Sequence, residues 1–179
     1  WWNTLAKYLL MQYNKIRPYN GRMRKMAKKL PLEELKPYMD ETAKRLSDRP
    51  KLAKLFCNCY PNTMATTTKY LEDGTAFVFT GDIPAMWLRD SSAQVRHYIG
   101  AAKHSEPVAE LIEALIARQM FCIQLDPYAN AYNETDNNQC WERDEPAQGP
   151  WIWERKYEID SLCYPFQLSW LFWKATGRT

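Results

Sequence analysis

The chain has 179 residues, 46% of them hydrophobic and 25% charged, with a net charge of +3 and an aromatic share of 14% that includes 8 Trp. This is a globular composition, which excludes a disordered or collagen-like chain, and five cysteines in a chain of this size do not form a disulfide framework. Lys and Arg are concentrated in residues 15–54, but no aromatic-interleaved basic motif accompanies them, so they read as solvated helix faces and not as a surface for nucleic acid or membrane.

Leu5, Leu9, Tyr13 and Ile16 recur at helical spacing behind Asn3, and Pro18 ends that helix. Trp1 to Met11 is too short, and too interrupted by Asn3 and Lys7, to span a bilayer. Asn20-Gly21 marks a turn, and Arg22 to Leu30 reads as a basic helix or linker. A short helix follows, with Pro31 in its first turn and its end at Pro37. Another spans Tyr38 to Leu46. A third, capped by Ser47 or Asp48, carries Leu52, Leu55 and Phe56. Residues 1–37 are thus expected to be an amino-terminal helical extension, and 38–179 the main domain.

The hydrophobic period then changes. Met64 to Leu71 and Thr75 to Thr80 are rich in Thr, Val, Phe and Tyr, and Glu72-Asp73-Gly74 between them predicts a β-hairpin. The hairpin leads into Thr80-Gly-Asp-Ile-Pro-Ala-Met-Trp-Leu-Arg-Asp-Ser91, a loop shaped by Gly81 and Pro84 that gathers Asp82, Trp87, Arg89 and Asp90. Two readings stand side by side: a turn in which Arg89 pairs with Asp90, and a loop that displays groups for a ligand. Ser91-x-x-Gln94 is a capping box that would start a helix at Ser92, with Val95, Ile99 and Ala102 as its apolar stripe. Asp90 would then sit just before the cap, facing the positive end of the helix dipole.

Ser105 is the next expected cap, with Pro107 in the first turn. Val108, Leu111, Ile112, Leu115 and Ile116 form a regular stripe, and Asp126-Pro127 ends the helix. Pro127 to Pro150 is long and polar, with Tyr128, Asn130, Tyr132, Asn133 and Trp141, and reads as a working loop. Trp151 to Asp160 alternates as a strand would, with Trp151, Trp153, Tyr157 and Ile159 on one face and Glu154, Lys156, Glu158 and Asp160 on the other. A last apolar helix, Leu162 through Trp173, closes at Gly177. Paired helices with one short β-hairpin point to a mainly α fold, an α-barrel or α-toroid.

The residue inventory narrows the chemistry. There is no Gly-x-Ser-x-Gly and no glycine-rich phosphate loop. His97 reads as structural and His104 as a surface residue, and Cys57-x-Cys59 is not a zinc spacing. The five thiols are expected to be free and buried. Carboxylates beside aromatics remain: Asp82, Asp90, Glu154, Glu158 and Asp160. Glycoside hydrolysis uses two carboxyl groups in different environments, one to donate a proton and one to activate water or attack carbon. Asp160, among Tyr157, Ile159, Leu162 and Tyr164, has the surroundings of an acid; Asp160-Ser161 before a helix also reads as an N-cap.

Four motifs carry a resemblance. Thr80 to Ser91 followed by Gln94, Asn62-Thr63 with Thr66-Thr67, Asp126-Pro-Tyr-Ala-Asn-Ala-Tyr-Asn133, and Trp153-Glu-Arg-Lys-Tyr-Glu-Ile-Asp-Ser-Leu-Cys-Tyr-Pro165 together closely resemble glycoside hydrolase family 125. The resemblance implies an (α/α)6 toroid and an inverting exo-α-mannosidase that acts on α-1,6-linked mannose. It implies no metal or other cofactor, and an α-mannoside oligosaccharide or mannosylated glycan as partner, with no nucleic acid or membrane involved. By motif, Asp160 matches the general acid. Trp87, Arg89 and Asp90, with Asp82 in the same loop, match the pocket for the terminal mannose, and Asn130, Asn133, Trp153, Glu154 and Lys156 fall in motifs near it. The expected base is a glutamate in the carboxyl-terminal half of the family's domain, outside this chain, because family domains are over twice this length. The chain is therefore read as an amino-terminal portion. Ala65, where an acidic residue is expected, and Thr68-Lys69-Tyr70 depart from the pattern. The alternatives are a mannoside-binding fragment without catalysis and another glycosidase on the same toroid.

Overall fold

The computed structural model describes residues 28–178. The helix expected over Leu5 to Ile16, the Asn20-Gly21 turn and most of the basic stretch from Arg22 lie outside the described residues. Seven α-helices and five short strands follow one another among the described residues: α1 (Lys36–Arg45), α2 (Pro50–Cys59), α3 (Asn62–Thr66), β1 (Thr68–Tyr70), β2 (Ala76–Val78), β3 (Met86–Trp87), α4 (Leu88–Arg96), α5 (Ile99–Ala102), α6 (Glu106–Leu125), β4 (Ala131–Tyr132), β5 (Ile152–Glu154) and α7 (Ile159–Thr176).

The helix expected to stop at Pro37 instead begins there. A 3-10 turn over Glu33–Leu35 runs into α1, and Pro37 occupies the first turn, where a missing N–H costs nothing. Leu35, the last residue of the 3-10 turn, is fully buried in the core, whereas α1 itself buries no residue. Neither Ser47 nor Asp48 caps α2; Arg49 precedes Pro50 without a side-chain cap. Residues 64–66, expected to be extended, are helical in α3, and the hairpin proper is shorter. Its turn is as the sequence reads. Gly74 takes φ +84°, which a side chain would resist, and Asp73 Oδ1 accepts the Thr75 N–H at 2.9 Å.

Side-chain contacts fix how the helices run. Arg89 meets Asp160 at 3.0 Å, and seven residues further along each helix Arg96 meets Gln167 at 3.5 Å. Equal steps along both helices mean that α4 and α7 lie parallel. Gln119, late in α6, donates to Ser91 Oγ and Ser92 Oγ at 2.8 and 2.9 Å near the start of α4. Arg178, just past α7, reaches Glu106 at the start of α6 at 2.9 Å. Helix α6 is therefore antiparallel to both, and the down-and-back unit repeats as a toroid of helical hairpins does.

One core fills the space between these helices and the hairpin. Leu35, Met64, Phe77, Met86, Tyr98, Ile112 and Leu168 are all at most 2% exposed. Arg118 lies among them at 2% exposure. Its Nη1 is 3.3 Å from Asp73 Oδ2, its Nη2 donates to the Glu134 carbonyl, and its guanidinium packs against Phe77, Phe121 and Trp151 at 5.0–5.8 Å from their centroids. It fastens the hairpin turn and the long loop to α6. Among the thiols only Cys122 is buried; Cys59 and Cys163 are exposed, and Cys57 and Cys140 are intermediate, so the expectation of buried thiols holds for one position. His97 is packed against Tyr60 and Tyr98 with Nε2 3.1 Å from the Tyr60 carbonyl, a structural role, and His104 is at the surface.

No described helix is long and apolar enough to cross a membrane.

Candidate active site

Strand β3 is only two residues long, yet it decides where α4 begins. It pairs antiparallel with β4, Met86 with Tyr132 and Trp87 with Ala131. The next N–H, that of Leu88, donates to the Asn130 carbonyl at 3.1 Å. The first orphan donor of α4 is thus satisfied by another strand's end, and the helix starts at Leu88. The capping box does not form. Ser91 and Ser92 lie inside the helix and donate their hydroxyls to the Leu88 carbonyl at 3.2 and 2.8 Å. Asp90 is consequently in the first turn of α4 and not ahead of it.

A similar shift applies to α7. Its N-cap position is Glu158, so Asp160 is the second helical residue and the N-cap reading of Asp160 is overturned. Asp160 and Arg89 occupy equivalent places at the starts of two parallel helices. Arg89 Nη1 donates to Asp160 Oδ2 at 3.0 Å, its Nε is 3.5 Å from Asp90 Oδ2, and Glu158 Oε2 is 3.7 Å from Nη1. The turn-only pairing of Arg89 with Asp90 therefore understates the arrangement: one guanidinium faces three carboxylates. The hydrogen bond to Asp160 leads the causes that raise Arg89 above its ordinary value, so the group stays cationic. Asp90 Oδ2 is buried and makes no hydrogen bond; Arg89 Nε is the cation that faces it.

The second cluster is centred on Glu154, at the end of β5. Glu154 Oε2 accepts the Trp87 indole N–H at 3.2 Å and the Asn130 amide at 2.8 Å, and Oε1 accepts Lys156 Nζ at 2.6 Å. Burial alone pushes this carboxyl up, but the donors from Lys156, Asn130 and Trp87 outweigh it, and the group lies below its ordinary value. Glu154 is thus a charged acceptor that orients Trp87. Asn130 is almost fully buried and also accepts the Lys156 N–H at 3.1 Å, which binds the loop after β5 to the start of β4.

Not every expected site residue joins these clusters. Asn133 is fully buried, and its amide donates to the Gln139 and Pro150 carbonyls at 2.8 and 3.1 Å, closing the base of the long loop. Trp153 is 8% exposed and packs with Ala85 and Ala131. The alternation expected from Trp151 to Asp160 fails at this point. Ala131 pairs with Glu154 but Tyr132 pairs with Ile152, so Trp153 is the extra residue of a bulge, and Ile152 and Trp153 are both buried. Tyr157 and Ile159, expected on one face with Trp151 and Trp153, are 60% and 71% exposed. Asp82 is exposed in a tight turn closed by the Thr80–Ile83 bridge, with Gly81 at φ +63°. Glu158, named among the carboxylates beside aromatics but given no place in the pocket, faces Arg89; only the helix start reveals that it precedes the first turn.

Among the described residues no three His, Cys, Asp or Glu side chains are grouped to hold a metal ion.

Comparison with known proteins adds three findings. Residues 49–179 match the family described as metal-independent alpha-mannosidase (GH125). The Meiotically up-regulated gene 157 protein of Schizosaccharomyces pombe is 37% identical over 151 residues, which cover 77% of this chain and 29% of that protein. A solved structure from Streptococcus pneumoniae, a metal-independent alpha mannosidase in a non-productive substrate complex with alpha-1,6-mannobiose, is 49% identical with a TM-score of 0.79, covering 82% of this chain and 35% of that one. The chain thus spans about a third of the length of the relatives it matches. Its mainly helical fold agrees with that neighbour and with the (α/α)6 toroid of the family.

Proposed function

The chain belongs to the metal-independent alpha-mannosidase family GH125, and from that premise we propose that it is part of an exo-acting enzyme releasing terminal α-1,6-linked mannose with inversion. The observation that carries the reading is the contact of Arg89 with Asp160 at 3.0 Å. It joins two motifs that lie 71 residues apart at the starts of two parallel helices. The α-1,6-mannobiose held by the pneumococcal relative supports the linkage.

Asp160 is the general acid in this proposal. It gives its proton to the glycosidic oxygen as the bond from that oxygen to the anomeric carbon breaks. A water attacks the anomeric carbon from the opposite face and yields its proton to a carboxylate outside residues 1–179. Inversion needs the two carboxyl groups about 6.5–9.5 Å apart, with that water between them. In the arrangement described, Asp160 Oδ2 accepts from Arg89. The proton for the glycosidic oxygen is then carried on Asp160 Oδ1, while Oδ2 stays held by Arg89. Trp87, Asp90, Glu154 and Lys156 supply an indole, two acceptors and a donor for the terminal mannose. Asp82, Asn130, Asn133 and Trp153 shape the loops behind them.

The test is proton NMR of α-1,6-mannobiose hydrolysis by the full-length protein that carries this chain. β-Mannose as the first product supports the proposal. α-Mannose would exclude inversion, and no release of mannose would exclude the activity.

A further inference from the structure

Tyr128 and Tyr157 are 57% and 60% exposed, and their ring centroids are 5.8 Å apart at 54°. Exposed aromatics are ordinary when scattered singly. Tyr128 is held in place from below. Asp126 Oδ1 accepts the Tyr128 N–H at 2.9 Å, and Asp126 Oδ2 accepts Arg155 Nε at 2.6 Å. The Asp126 and Arg155 side chains are only 17% and 21% exposed. The Arg155 guanidinium lies 5.8 Å from the Tyr128 ring centroid, and the Arg155 N–H donates to Asp144 Oδ2 at 2.6 Å. Part-buried polar bonds thus fix the segments that carry Tyr128 and Arg155, and the Tyr157 ring leans on that of Tyr128; two exposed rings on a fixed base suit a binding surface more than a core.

The position of the pair ties it to the candidate site. Tyr128 precedes Asn130, which bonds Glu154, by two residues. Tyr157 lies between Lys156, which reaches Glu154, and Glu158, which faces Arg89. Both rings are therefore carried on the short segments that supply the two polar clusters. An exo-acting site encloses the terminal ring, and the rest of the glycan leaves across the rim. A pyranose presents a face of C–H groups that packs on an aromatic ring, while its hydroxyls find polar partners beside it. Building on the mannosidase reading above, we propose that Tyr157, backed by Tyr128 and Arg155, is a stacking platform for the sugar on the leaving-group side of the scissile bond.

The experiment compares α-1,6-mannobiose, which has a leaving-group sugar, with α-mannosyl fluoride, which has none, in the full-length protein. With Tyr157→Ala the ratio of kcat/KM for the disaccharide to that for the fluoride falls about tenfold, mainly through KM, as loss of one contact to the leaving sugar would give. Tyr157→Trp keeps the ratio, because the aromatic face is retained, and Tyr128→Ala lowers it less than Tyr157→Ala. An unchanged ratio in Tyr157→Ala overturns the platform, whether both rates hold or fall together. If the wild type cleaves neither compound, the mannosidase reading fails and binding decides the platform. Saturation-transfer NMR of α-1,6-mannobiose would lose signal in Tyr157→Ala and keep it in Tyr157→Trp; equal signals in all three proteins, as when another part of the molecule covers the rings, overturn it.

Discussion

Arg89 and Asp160 hold the same place on two parallel helices, the second residue of α4 and the second of α7, and their side chains meet at 3.0 Å. The pair of helix starts brings one cation and three carboxylates, Asp90, Glu158 and Asp160, to a single point.

Arg89 matters more for activity than for stability. Its side chain is 38% exposed, and ion pairs of that exposure contribute at most about 1 kcal/mol. Its planar fork, however, sets the direction of Asp160. Arg89→Lys is expected to lower kcat/KM for α-1,6-mannobiose about 100-fold, as misplacement of a reacting group does, while the melting temperature stays near wild type. A large loss of melting temperature with normal turnover would assign Arg89 to the framework instead.

Glu154 carries a pH signature. Its folded value lies below the ordinary 4.5, so the unfolded chain binds this proton more readily than the folded one. The stability it contributes is complete above that ordinary value and drains away as pH falls toward the folded value. Urea titrations from neutral pH down through the carboxylate range should show wild type losing stability where Glu154→Gln loses less. Glu154→Ala, which strands the Asn130 and Trp87 donors, is expected to cost about 1–3 kcal/mol at neutral pH. Parallel acid profiles for wild type and Glu154→Gln would contradict this.

Arg118 and Asp73 form an unequal pair. The Arg118 side chain is 3% exposed and the Asp73 side chain 55%. Removing the arginine side chain leaves a void among Phe77, Phe121 and Trp151 and frees the Glu134 carbonyl, a loss of about 2–5 kcal/mol. Removing Asp73 costs about 1 kcal/mol, because the cation keeps its other partners and the loss is mostly that of a turn residue. Chemical denaturation of Arg118→Ala beside Asp73→Ala measures the difference, and equal losses would contradict the hub assigned to Arg118.

The thiols should separate by reactivity. Burial pushes the Cys122 thiol up to about 12, only partly offset by Arg118, whereas Cys59 and Cys163 are exposed. Mass spectrometry after brief alkylation of the native protein should find Cys59 and Cys163 modified and Cys122 intact. Early modification of Cys122 would show that α6 opens readily.

Local signals in the chain were sufficient where one segment decides its own shape. The α6 stripe from Val108 to Leu115, its end at Asp126-Pro127, the Asp73-Gly74 turn and the Gly177 stop at φ +71° are all of this kind. The errors fall where a distant segment intervenes. Ser91-x-x-Gln94 has the composition of a capping box, but the Asn130 carbonyl satisfies Leu88 and lets α4 begin a turn earlier. The bulge at Trp153 exists only because β5 pairs with β4 across the long loop. Pro37 is as compatible with a helix start as with an end, and only the turn ahead of it distinguishes the two. The motif set pointed to Trp87, Arg89, Glu154 and Asp160, whose side chains do converge in two neighbouring clusters. It could not separate them from Asn133 and Trp153, which share the same motifs but face the framework.

The most direct measurement replaces Asp160 by Asn in the full-length protein and compares α-1,6-mannobiose with α-mannosyl fluoride, whose leaving group departs without a proton. If Asp160 is the general acid, hydrolysis of the disaccharide falls about 100- to 10,000-fold while hydrolysis of the fluoride falls far less. An unchanged rate on the disaccharide, or equal losses on both substrates, would contradict that role.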